Sequence, residues 1–176
     1  MTNDSGVNAR TRGALMSMSI RPLLHGAVVG LAGTTALNVA GYAEIALLGR
    51  PISDTPGITV RTLAMKLHIR IPGEGQVQEN RVAGLGPLIG YTVGLGMGMT
   101  VALAQAGGWS RTPASRYAFA TLLALTVTNA PIALLGISDP RTWTVSDWVS
   151  DIVPHVLYAL VTVRVLEKLE AAGATL

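Results

Sequence analysis

Three ionisable residues recur every four positions near the carboxyl terminus of the chain: Asp147, Asp151 and His155. In a helix this spacing places all three side chains on one face. Carboxylates beside an imidazole can hold or pass protons, because histidine changes its charge between about pH 5 and 8. Asp147 comes first and also fits the ordinary preference of acidic side chains for a helix N-terminus. Asp151 and His155 therefore carry the stronger chemical signal.

Two more polar residues, Glu44 and Asn129, lie in apolar stretches elsewhere in the chain. An ionisable or amide group at membrane depth is costly unless it is paired or hydrated. With four spans, the end of the first, the later part of the third and the start of the fourth lie on one side of the membrane. The sequence thus predicts a polar cluster of Glu44, Asn129, Asp151 and His155. Other polar residues in the spans are Asn38 and, towards the opposite side, His25 and Arg164.

Three interpretations of this cluster stay open. In the leading one, Asp151 and His155 pair with Glu44 or Asn129 and hold the bundle together as a structural clamp. In the second, His155 beside carboxylates forms a proton-responsive or translocating site. In the third, Glu44, Asp151 and His155 hold Zn²⁺, Fe²⁺ or Mn²⁺, although only His68 could supply a second histidine on that side. The sequence predicts no cofactor.

The elements that must position these residues are long apolar helices. The chain has 176 residues, a mean hydropathy of +0.46 and only 13% charged residues, about half the usual charged share. Its apolar residues gather into stretches long enough for a bilayer, which needs about 20 helical residues. They cover approximately residues 23–48, 82–106, 117–137 and 148–166. The predicted fold class is all-α, a polytopic membrane protein with four transmembrane helices.

The remaining segments flank or interrupt this single bundle, which extends over residues 22–170. Residues 1–21 are polar and predicted to be flexible, and residues 171–176 form a C-terminal tail. In the first loop, apolar residues of segment 59–69 recur at i, i+3, i+4 and i+7, which predicts a short amphipathic helix. This helix is expected to lie on the membrane interface or, equally well, to cap the end of the bundle. The pattern consists of Val60, Leu63, Ala64 and Leu67.

A second pattern lies in the second span, where Gly86, Gly90, Gly94 and Gly98 recur every fourth residue. Residues at that spacing share nearly one helical face, so another helix can approach closely, as in membrane helix pairs with a GxxxG motif. This glycine zipper is interpreted first as packing inside the monomer against the first span. A homo-oligomer seam and a pore lined by the zipper are the alternatives.

Several classes of function are disfavoured by the composition. The chain has no cysteine, which excludes disulfides, thiolate metal sites and cysteine nucleophiles. It contains no nucleotide-binding or hydrolase motif, so an enzyme is the less favoured class. Its basic residues flank the spans, where they fit lipid headgroups rather than nucleic acid. The predicted partners are the lipid bilayer and, through self-association, a homo-oligomer, and no substrate is specified.

Charged residues also bear on location and orientation. Arg10, Arg12 and Arg21 precede the first span, and an excess of positive charge marks the cytoplasmic side of a span. The other basic residues are divided almost evenly between the two sides. We therefore predict a multi-pass protein of the cell membrane with both termini inside.

Two segments resemble a family of small bacterial inner-membrane proteins. They are residues 26–33 leading to Glu44, and residues 148–155, in which Trp148 precedes a Ser-Asp-Ile run and a histidine. This pattern resembles the YagU-type family, whose final span begins with a similar motif. The resemblance implies a link to acid resistance without a defined reaction, and it marks Glu44, Asp151 and His155 as the positions to carry over. The loop 55–80 departs from that family's pattern.

These observations predict a non-enzymatic membrane protein, a structural or stress-related component. The second candidate is a small proton-coupled channel or transporter, and the third is a membrane-embedded enzyme or metal-binding protein. Each of the three must account for the polar cluster.

Overall fold

Five α-helices make up the fold in a computed structural model that describes residues 4–109 and 112–173, with side chains from residue 20 onward. The helices are α1 (Asp4–Leu48), α2 (Thr55–Lys66), α3 (Gly75–Ala106), α4 (Pro113–Leu134) and α5 (Val145–Gly173), with a 3-10 turn at Pro140–Thr142. All except α2 are long and apolar enough to cross a membrane. The predicted all-α fold with four membrane helices and one short loop helix is confirmed.

The helices differ from the predicted spans mainly at their ends. The first helix begins at Asp4, well before the predicted start at residue 23, while the flexibility of segment 1–21 stays a prediction. Helix α3, which contains the predicted second span, begins at Gly75 rather than at residue 82. Its first two turns are mostly polar, and the apolar run follows them. Hydropathy locates the part of a helix that lies in lipid, whereas hydrogen bonds and caps decide where the helix itself begins.

The short loop helix was predicted over residues 59–69, and both of these bounds are wrong. Helix α2 begins at Thr55, with a proline in its first turn, where the missing N–H of proline costs no helical hydrogen bond. It ends at Lys66, where His68 adopts a left-handed backbone with φ of 56°. The Ile69 N–H then donates to the Ala64 carbonyl at 2.8 Å, a closing bond typical of helix C-termini.

Helix α2 is fixed to the bundle by its contacts with α3. Pro56 packs against Gly86, Val60 is 4% exposed, and Arg61 forms an ion pair with Glu79. These contacts place α2 against the first part of α3, at the end of the bundle that we call the loop end. The loop end comprises the last turn of α1, α2, the start of α3, the α4–α5 connection and the start of α5.

Capping boxes define the starts of α4 and α5. Thr112 accepts a hydrogen bond from the Ser115 N–H at 3.2 Å while the Ser115 hydroxyl accepts from the Thr112 N–H. Thr144 and Asp147 make the same reciprocal pair, at 3.2 Å and 2.9 Å. Each pair satisfies two backbone donors that a helix start leaves free. Thr144 thus caps the last helix, as its place three residues before Asp147 indicates.

Helix α1 lies between α3 and α5, and α4 packs against α5 and α3, so the four long helices form a closed ring of neighbours. The most completely buried aliphatic part of the core lies away from the loop end. There Val29, Val101, Val163 and Leu166 are at most 1% exposed. We call these four residues the aliphatic plug.

Close packing between α1 and α3 depends on glycine. A Cβ atom added to Gly98 would lie 2.4 Å from the Gly26 carbonyl oxygen and 2.4 Å from the Gly30 Cα. One added to Gly94 would overlap the Thr34 hydroxyl. Contact this close lets the two backbones pack by van der Waals attraction, which is the main attraction between helices in lipid.

The other two glycines of the predicted zipper have different surroundings. Gly86 faces Pro56 of α2, and a Cβ atom on Gly90 would meet nothing within 4 Å. Four-residue spacing drifts by about 40° per step around a 3.6-residue helix, so the ends of the series point in different directions. Gly94 and Gly98 face α1, Gly86 faces α2, and Gly90 is open.

Candidate functional site

The candidate site is a series of polar side chains on the inner face of α5, beginning at the loop end. Its outer group joins α1 to α5. Arg50, just after α1, forms ion pairs with Glu44 at 2.7 Å and Asp147 at 3.3 Å. The Ser150 hydroxyl donates to Glu44 and also contacts the Arg50 guanidinium. One cation thus bridges carboxylates from two helices.

The electrostatics of the outer group depend on Arg50. Its hydrogen bond and attraction to Glu44 raise the pKa of Arg50 above its already high usual value. The guanidinium therefore stays charged at any ordinary pH, and acid can weaken the contact only by protonating the carboxylates. The Arg50 and Glu44 side chains are 31% and 23% exposed, so water screens this pair partly.

The inner group of the site joins α4 to α5. The Asn129 amide donates to the Asp151 carboxylate at 2.7 Å. His155 is 7% exposed, and its Nε2 lies 3.0 Å from the Thr128 hydroxyl oxygen. Its Nδ1 lies 2.6 Å from the Asp151 carbonyl oxygen and 3.5 Å from the carboxylate of the same residue. Every ring nitrogen and carboxylate of this inner group has a partner.

The inner group extends close to the middle of the bundle. Ala124 lies midway along the 22 residues of α4 and belongs to the same buried cluster as Tyr158. Because a helix rises 1.5 Å per residue, His155 lies about 4.5 Å and Asp151 about 10 Å from the level of Tyr158. Polar groups at this depth must satisfy one another, because lipid offers no hydrogen bonds.

The polar series continues along α5 beyond the histidine. The Tyr158 hydroxyl donates to the Gly94 carbonyl oxygen of α3 at 2.8 Å. The Thr162 hydroxyl donates to the Val29 carbonyl oxygen of α1 at 3.3 Å. Both side chains are fully buried. The next inward positions of α5, Val163 and Leu166, belong to the aliphatic plug, so the series ends there.

The predicted cluster therefore divides into two groups. Asn129, Asp151 and His155 are in contact, whereas Glu44 makes its contacts with Arg50 and Ser150. Within the described part of the chain, no hydrogen bond or ion pair connects Glu44 to the other three. Neighbouring helices present these side chains to different partners.

Three residues of the outer and inner groups were not singled out from the sequence. Arg50 lies six residues after Glu44, and this nearness is the one sequence signal for their pairing. Ser150 and Thr128 directly precede Asp151 and Asn129. Small hydroxyl residues are common within membrane helices, where they usually bond to their own backbone, so nothing in the sequence distinguished these two.

The remaining polar candidates lie elsewhere. Arg164 stacks its guanidinium over the Tyr117 ring at 5.8 Å, near the end of the bundle opposite the loop end. His68 lies two residues after the end of α2. Among the residues whose side chains are described, no three histidine, aspartate or glutamate side chains form a group that could hold a metal ion. Glu44, Asp151 and His155 are therefore not assembled as a ligand set.

Fold and site together define a polytopic α-helical membrane protein with a paired polar series inside its last helix. No family model, no curated protein and no solved structure matches the chain.

Proposed function

We propose that this protein is a non-enzymatic structural component of the membrane, in which polar side chains of α5 bind the four helices into one arrangement. The observation that carries the proposal is that successive polar residues of α5 pair with different neighbours. Ser150 and Thr162 contact α1, Asp151 and His155 contact α4, and Tyr158 contacts α3.

Such pairing suits a structural role because each bond specifies one neighbour and one register. Hydrogen bonds between membrane helices contribute modestly, about 0.6 kcal/mol on average and up to about 1.7 kcal/mol. Their larger effect is to destabilise other arrangements of the helices, since a shifted helix would leave several polar groups unpaired in lipid. The aliphatic plug supports the same role, because it closes the polar series before it crosses the bundle.

The glycine zipper enters the proposal as packing within one chain. Gly94 and Gly98 face Thr34, Gly26 and Gly30 at distances that exclude any side chain. This supports the interpretation of packing against the first span over a seam between copies or a pore lining. The open position at Gly90 lies outside that contact.

For location we propose a bacterial inner membrane with both termini in the cytoplasm. The support comes from Arg10, Arg12 and Arg21 ahead of the first span and from the positive-inside rule. The resemblance to the YagU-type family agrees with this location and would add a stress-related setting. Both statements rest on the sequence.

A double-mutant cycle tests the structural proposal. We expect Asn129→Ala and Asp151→Ala to show a coupling of about 0.6–1.7 kcal/mol in the unfolding free energy in mixed detergent micelles. The control pairs Asn129→Ala with Thr100→Val, an exposed residue that bonds to its own helix, and should be additive. Additivity of the Asn129 and Asp151 changes would contradict the proposal.

A second candidate function is a small proton-coupled channel or transporter, favoured by the environment of His155. Both of its ring nitrogens face oxygen atoms, and the Thr128 hydroxyl can give its own hydrogen to the Ala124 carbonyl at 2.8 Å. An imidazolium would then be fully bonded, with Asp151 as its counter-ion. The facing residues from α4, Thr128 and Asn129, carry no charge.

Proton flux into proteoliposomes separates the two candidates. The structural proposal expects no flux above that of protein-free vesicles, whereas the second candidate expects flux that Asp151→Asn and His155→Ala abolish. A His155→Ala variant that keeps wild-type stability would count against the structural role.

A further inference from the structure

The face of α1 that points away from the bundle carries a regular row of side chains. Within the described part of the chain, the other faces of α1 are occupied, by α3 at Gly26 and Gly30 and by α5 at Gly33. The free face shows residues separated by four, three, four, three and four positions. We call this row the α1 outer stripe: Leu24, Val28, Leu31, Thr35, Asn38 and Tyr42.

The spacing of the outer stripe alternates between four and three residues, so every second member lies seven residues further on, which is the heptad repeat of a left-handed helix pair. Leu24, Val28 and Tyr42 are 61%, 54% and 64% exposed, and Thr35 is exposed as well. A single straight seam therefore runs along most of the membrane part of α1. Apolar members of such a row can face lipid without cost.

The polar members of the stripe are different. Thr34 packs against Gly94 near the middle level of the bundle, so Asn38 lies only about 6 Å from that level. Asn38 lies beside the Tyr91 hydroxyl, which is 3.5 Å from the Thr35 hydroxyl. A carboxamide offers two N–H donors and an oxygen acceptor, more than one neighbouring hydroxyl can satisfy. Asn38 is partly exposed, and acyl chains provide no partner there.

We propose that the outer stripe is the contact surface for a second copy of this chain, with the two α1 helices parallel. Identical copies insert in the same orientation, so their twofold axis is the membrane normal and each residue faces its own equivalent. The Asn38 carboxamides then meet, and each can both donate to and accept from the other. One polar residue in an otherwise apolar seam is a known means of setting register and copy number.

This contact is independent of the structural role proposed for α5. It uses the lipid-facing side of α1, whereas the polar series of α5 uses the inside of the bundle. A monomer with all its internal pairs intact could still form the dimer, and loss of the dimer would leave the unfolding free energy of the monomer unchanged.

The strength of the contact is tested with Asn38→Leu in liposomes, where dimerisation is followed by single-molecule photobleaching over a range of protein-to-lipid ratios. We expect the dissociation constant to rise about threefold to twentyfold, as for other hydrogen bonds between membrane helices. The matched control is Thr100→Val on α3, which should leave dimerisation unchanged. A wild-type protein that stays monomeric at every ratio would overturn the proposal.

The geometry is tested by cysteine cross-linking, which the absence of native cysteine makes clean. We expect Val28→Cys and Thr35→Cys to form disulfide-linked dimers, and Leu122→Cys, 64% exposed on α4, to form none. Equal linking at all three positions means random collision and contradicts the proposal. A Gly96→Cys variant tests the exposed side of α3. If only this variant forms linked dimers, the contact belongs to α3 and the proposal is overturned.

Discussion

The surroundings of His155 bear on both candidate functions. It is nearly buried close to the middle of the bundle, and each ring nitrogen meets an oxygen on a defined partner. The same geometry serves a structural bond when the ring is neutral, because the Thr128 hydroxyl can then donate to Nε2. It also serves a charged ring, because that hydroxyl can turn to its own helix backbone.

Replacing Thr128 tests this contact at the residue scale. We expect Thr128→Val to lower the unfolding free energy by about 1–3 kcal/mol, the cost of leaving a buried polar group without a partner. Thr128→Ser keeps the hydroxyl and should retain most of the stability. Detergent unfolding followed by circular dichroism measures both. A Thr128→Val variant of wild-type stability beside a destabilised Thr128→Ser variant would mean that the methyl group, and not the hydroxyl, matters.

At the scale of elements, the packing of α1 on α3 is the contact least tolerant of change. Gly98→Ala would place a Cβ atom 2.4 Å from backbone atoms of α1, so the helices must separate. We expect this variant to be strongly destabilised, by about 2 kcal/mol or more, as overpacked cores are. The measurement is the unfolding free energy in mixed micelles.

Gly96 provides the control for that prediction, because it lies on the same helix with nothing within 4 Å of an added Cβ atom. Gly96→Ala should be neutral or stabilising by up to about 1 kcal/mol, since alanine favours the helix more than glycine does. If both variants lose the same stability, the close contact at Gly98 does not account for the loss.

At the scale of the whole molecule, the loop end and the opposite end differ in kind. The loop end carries the Arg50 group and the start of the polar series, whereas the opposite half is closed by the aliphatic plug. Inside the bundle, the paired polar side chains of α5 therefore run from the loop end to Thr162, and the aliphatic plug follows them. This asymmetry favours a structural role over a continuous conduction path.

Four spans place the loop end and the α3–α4 turn on opposite sides of the membrane. We expect Ile52→Cys and Ala114→Cys to react with a membrane-impermeant thiol reagent from opposite sides of sealed vesicles. Both positions are exposed outside the long apolar runs, and the chain has no other cysteine. Labelling of both from the same side would contradict the four-span arrangement.

Much of the architecture could be predicted from the sequence because it depends on local properties. The number of spans follows from runs of apolar residues, and the Thr144 cap follows from one hydroxyl and one carboxylate three residues apart. Helical periodicity alone predicts that Asp151 and His155 lie on one face of α5. The bounds of α2 were predicted wrongly because contacts with a neighbouring helix help to set them. Pro56, in the first turn of α2, packs against Gly86 of α3.

Partners across the bundle were decided only by the tertiary structure. Glu44 was predicted to join Asp151 and His155, yet it binds Arg50 and Ser150, because the direction a side chain faces depends on which helix packs beside it. Gly90 is in register with Gly86 and Gly94, yet a Cβ atom there would meet nothing within 4 Å, because neither α1 nor α2 approaches that position of α3. Depth along a helix follows from residue number, but the choice of partner requires the order and rotation of all four helices.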